Sequence, residues 1–100
     1  MTPFDPTQAK HGIVLKGIDP ASLQSNRAEL EESRLEDQRQ LIAPGTPRYT
    51  LIQVNCQGII LQGNHGARAA AEAGIAIDIQ VLDFPHPTYG PILSIPIIKR

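Results

Sequence analysis

Between Gly63 and Gly74 lies the one stretch of this chain whose residue types and spacing suggest chemistry: Gly63-Asn64-His65-Gly66-Ala67-Arg68, then an alanine-rich run carrying Glu72 and closed by Gly74. An apolar run, Ile59 to Gln62, leads straight into it, so a strand is expected to hand over to a short helix over His65–Ala73. The first N–H groups of such a helix have no partner within it and sit at the positive end of its dipole. An anion can approach them closely where glycines remove side-chain bulk, here at Gly63 and Gly66. At about 100° per residue, His65, Arg68 and Glu72 fall within one sector of about 60°, while Ala67, Ala70, Ala71 and Gly74 follow the spacing of the opposite face. The small face suits packing on a sheet. The polar face would set an imidazole, a guanidinium and a carboxylate beside an anion pocket. Two purely structural readings stand beside that one: a Gly-Asn turn into an alanine-rich helix, and Arg68 with Glu72 as an i, i+4 ion pair.

The elements needed to position this segment are legible on both sides. Upstream, Gly12 to Ile18 reads as a strand ended by Asp19-Pro20. Asn26 to Ile42 reads as a polar helix with Asn26 and Glu29 spaced as a capping box and Arg27 four residues before Glu31; Pro44-Gly45 stops it. Its charge run from Glu29 to Arg39 reads as a solvated face. Thr50 to Asn55 and Ile59 to Gln62, joined by Cys56-Gln57-Gly58, read as a hairpin. Downstream, Ile75, Ile77, Ile79 and Val81 alternate with Ala76, Asp78, Gln80 and Leu82, the period of a half-buried strand. Phe84 to Pro91 holds three prolines and must be a loop. Ile92 to Ile98 is apolar but contains Pro96, which places it at a sheet edge if it forms a strand.

Composition narrows the function classes. One hundred residues, 41% of them hydrophobic and 19% charged, fit a single domain spanning 1–100. A net charge of −1 removes the global basic field of many nucleic-acid binders, and four aromatic residues are too few for a base-stacking platform. A lone cysteine, Cys56, excludes an internal disulfide and a cysteine-based zinc site. The N-terminus lacks the basic and apolar regions of a signal peptide and no apolar run reaches membrane-span length, so a cytoplasmic protein with no membrane partner is expected. His65, His86 and Asp83 share no metal-ligand spacing, and no metal ligand is assigned.

The succession Ile59-Ile60-Leu61, Gly63-Asn64-His65, Arg68-Ala69-Ala70, Gly74 and Ile75 to Leu82 resembles the ParB N-terminal domain and sulfiredoxin superfamily. The resemblance extends upstream to Ile18-Asp-Pro-Ala-Ser-Leu23 and Gly45, and covers about residues 18 to 83. It implies an α/β (α+β) fold, a small mixed sheet with short helices. It also implies a site for nucleotide or nucleic-acid phosphate at Gly63, Asn64, His65, Gly66 and Arg68. His65 matches the family histidine and Arg68 the second arginine of the ParB form, while Gly66 stands where the family has another arginine. Sulfiredoxin chemistry is set aside, because its catalytic cysteine corresponds to Asn64.

Three functions follow from that resemblance. One is a ParB-like nuclease or nucleotide-processing domain, of the kind found in effector and toxin modules. His65 would be its acid or base, with Glu72 the next candidate, Mg²⁺ or Mn²⁺ a candidate cofactor, and an inhibitor protein a candidate partner. The second is a regulatory module that binds a nucleotide without hydrolysis. The third is a degenerate member retained for protein interaction.

Overall fold

The computed structural model describes residues 1–41 and 51–99. Its content is mixed α+β: two helices, a four-stranded mixed sheet and a small second sheet. In chain order these are β1 (Val14–Ile18), a 3-10 turn (Pro20–Ser22), β2 (Leu30–Glu31), α1 (Glu32–Leu41), β3 (Ile52–Val54), β4 (Ile60–Gln62), α2 (Asn64–Ala73), β5 (Ile77–Val81), a second 3-10 turn (Ile92–Ser94) and β6 (Ile97–Ile98). The main sheet runs β1-β5-β3-β4, with β5 parallel to β3 and antiparallel to β1, and β3 antiparallel to β4.

The alternating isoleucines place β5. Ile77, Ile79 and Val81 are buried while Asp78 and Gln80 are partly exposed, and Ile79 pairs with both Leu15 and Ile52. Ala67 and Ala70 of α2 join that core together with Ile52, Val54, Ile60, Leu23, Leu30, Ile92 and Ile95. Alanine at these positions lets the helix axis lie close to the sheet. The expected hairpin is present as β3 and β4, and α2 ends at Gly74, whose left-handed backbone (φ 68°) returns its N–H to the carbonyls of Ala70 and Ala71.

Two expectations are corrected. The polar helix begins at Glu32 rather than Asn26, so Asn26 does not stand at its N-cap. Asn26 is drawn into long-range bonds instead, its Nδ2 donating to the Leu61 carbonyl at 3.2 Å, and Leu30 enters β2, with its N–H donating to the Pro96 carbonyl at 3.0 Å. Tertiary partners outcompete the local cap. The run Ile92 to Ile98 is not one strand: Ile92–Ser94 forms a 3-10 turn and only Ile97–Ile98 pairs, parallel to β2. Pro96 has no N–H to give to a ladder, but its carbonyl still accepts, which fits its place just before this short edge strand. Ile42, the Pro44-Gly45 stop, Thr50 and Arg100 lie outside the described residues.

Candidate functional site

Helix α2 has two covered sides. Its alanine side faces the sheet; its other side, at His65, Gly66, Ala69 and Glu72, meets the segment formed by β2 and α1. A Cβ added at Gly66 would stand 3.2 Å from Gln38 Oε1, and Ala69 is only 1% exposed. Glu72 accepts two bonds from Arg39, at 2.8 and 3.0 Å, and lies 3.4 Å from Arg68 Nε. Those carboxylate contacts raise the Arg39 pKa above its ordinary value.

At the start of α2 the site residues are tied to the chain around them. Gly63 has φ 103°, a left-handed conformation that β-branched and bulky side chains avoid, and a Cβ there would press on Ile52 Cγ1 at 3.1 Å. Asn64 is buried: its Oδ1 accepts from the Ser25 hydroxyl at 3.0 Å and its Nδ2 donates to Asn26 Oδ1 at 2.6 Å. This straps residues 25 and 26 across the entry to the helix. His65 is half-buried, and its Nε2 accepts the Glu31 N–H at 3.0 Å, which leaves Nδ1 to carry the proton of the neutral ring. Burial lowers the His65 pKa below its ordinary value, and the charges of Arg27 and Arg34 lower it further against an opposing pull from Glu31.

Arg68 is engaged with the backbone of the C-terminal segment. Its NH1 donates to the carbonyls of Ile92 at 3.0 Å and Ile95 at 2.8 Å, and its side chain is 13% exposed. The guanidinium therefore pins the second 3-10 turn to α2. No family model, curated protein or solved structure matches the chain.

Gly63, Asn64, His65 and Gly66 thus gather at the helix entry by adjacency, while Arg68 and Glu72 serve the C-terminal segment and α1. Sequence reading missed Arg27 and Arg34, whose guanidinium groups both lie against Glu31, at 3.9 and 3.6 Å, and whose charge reaches His65. The Arg27–Glu31 spacing was visible, but it reads as a pair on a helix; the contact exists with Arg27 ahead of β2. Among the described residues no group of three His, Cys, Asp or Glu side chains is placed to hold a metal ion, and no helix is long and apolar enough to cross a membrane. Cys56 is partly buried, and that burial, with the Asp83 carboxylate nearby, pushes its thiol pKa up, away from nucleophilic character.

Proposed function

We propose that this chain is a ParB/sulfiredoxin-like module that binds a nucleotide or nucleic-acid phosphate at the entry to α2 without hydrolysing it. One observation carries the reading: two guanidinium groups, Arg27 and Arg34, both lie against Glu31, the residue whose N–H is bonded to the His65 ring at the start of α2. Paired arginines recognise phosphate oxygens through forked, charge-assisted hydrogen bonds, and Glu31 holds both side chains close to the helix entry until a more strongly charged anion competes for them. Binding is preferred to turnover because a general base needs a free lone pair within reach of substrate, and His65 Nε2 already accepts the Glu31 N–H.

Calorimetry with pyrophosphate, a nucleoside triphosphate and a short single-stranded oligonucleotide tests this. Expected is binding that weakens as salt rises, and a loss of about tenfold or more in the Arg27→Ala/Arg34→Ala double variant. Absence of binding, or binding indifferent to the double substitution, overturns the proposal. Incubation of the same ligands with Mg²⁺ or Mn²⁺ should leave them intact. Cleavage that disappears in His65→Gln would restore the nuclease reading.

A further inference from the structure

The segment Phe84-Pro85-His86-Pro87-Thr88-Tyr89 has a different character from the rest of the surface. All six residues are exposed, Phe84 and Tyr89 each at 56%. No charged residue occurs from Phe84 to Ile98. The proline rings fix φ at positions 85 and 87, and the residues before them, Phe84 and His86, are pushed into the extended region. Four consecutive residues therefore have little conformational freedom left to lose, although none belongs to a helix or strand.

Both ends of the segment are anchored. Asn55 Nδ2 donates to the Phe84 carbonyl at 3.1 Å. At the other end the Tyr89 N–H donates to the Ser25 carbonyl and the Ser25 N–H to the Gly90 carbonyl, both at 2.9 Å. Gly90, with φ 114°, turns the chain back toward the core, and its N–H donates to Thr88 Oγ1 at 3.1 Å. The result is an uncharged proline–aromatic strip whose prolines favour extended backbone, held at its ends and exposed along its length.

We propose that residues 84–89 are a docking ligand for a protein partner whose groove is lined by aromatic rings, the class of surface that grips extended proline-containing segments. Such grooves take proline rings between flat aromatic walls and gain affinity because the ligand backbone is already extended. The two exposed rings, Phe84 and Tyr89, flank the prolines as anchors of the kind that dominate interface energetics, and the absence of charge removes the desolvation cost that a buried ion would impose. The proposal does not rest on the phosphate-binding reading, although the Tyr89 end of the strip is tied to Ser25, whose hydroxyl also bonds Asn64 and Arg27.

The test uses the isotope-labelled full chain titrated with a panel of SH3, WW and EVH1 domains, read by amide chemical shifts. Expected is saturable binding of at least one domain, with shifts concentrated at Phe84, His86, Thr88, Tyr89 and Gly90, and about tenfold or greater weakening in the Pro85→Ala/Pro87→Ala variant. Since these prolines are exposed, that variant should melt with the parent protein, and a second variant, Phe84→Ser, should weaken binding with the backbone restrictions intact. Failure of every domain to bind overturns the proposal. So does binding that persists unchanged in the double variant, or shifts that fall elsewhere on the chain.

Discussion

The Nε2 atom of His65 and the backbone N–H of Glu31, 3.0 Å apart, join the first turn of α2 to the strand that precedes α1. This bond requires a neutral imidazole with its proton on Nδ1, because a doubly protonated ring has no lone pair to offer. The bond, the burial and the two nearby arginines therefore all favour the same protonation state.

Stability should depend on pH through this residue. The unfolded chain takes up a proton near the ordinary imidazole pKa of about 6.5, whereas the folded chain does so only at a lower pH. Between those values the unfolded state binds more protons, so stability is complete above the ordinary pKa and declines as pH falls toward the folded one. Urea midpoints from about pH 8 to about pH 5 should fall more steeply for the native chain than for His65→Gln; parallel profiles would show that His65 is not the group responsible.

Arg68→Ala should destabilise the fold by about 2–4 kcal/mol, because two carbonyls lose a charged donor and Glu72 loses one of its two cations. Arg68→Lys should recover only part of this, since one ammonium nitrogen can replace NH1 at the two carbonyls but leaves nothing where Arg68 sets Nε beside Glu72. Denaturant unfolding of the two variants checks the order. A loss below about 0.5 kcal/mol for Arg68→Ala would mean that the carbonyls are satisfied without it.

The two glycines of the motif should respond with opposite signs. Gly63→Ala forces a side chain onto a left-handed backbone and into Ile52, and should cost about 1–2 kcal/mol. Gly66→Ala meets only the tip of Gln38, which can swing aside, and gains helix propensity, so it should stabilise by about 0.5 kcal/mol. Thermal melts of both variants decide the matter, and equal losses would contradict the assignment of different roles.

Where an element is specified by its own residues, the sequence was enough to find it. The alternation of Ile77, Ile79 and Val81 against Asp78 and Gln80 marks β5, and the alanines ending at Gly74 mark α2, because burial and capping act there over a few consecutive positions. What escaped are features made by residues far apart in the chain. Asn26 has the spacing of a cap, yet it spends its amide on Leu61 and Asn64, and nothing local announces that preference. Arg68 has the position of an anion ligand, yet its acceptors are backbone carbonyls 24 and 27 residues later. A carbonyl acceptor leaves no mark in the sequence, since every residue has one. The gathering of Arg27 and Arg34 at Glu31, next to His65, was hidden for a related reason: it depends on where the segment before α1 crosses, which its helix-like composition obscures.

The reach of Arg68 also ties two distant parts of the chain into one folding event. The carbonyls of Ile92 and Ile95 lie 24 and 27 residues further along the chain, so a helix packing on the sheet ahead of them would have to bury a guanidinium without its acceptors. Desolvating an unpaired cation is costly, so the tight packing of α2 and the closing of the last 3-10 turn over it are expected to form together.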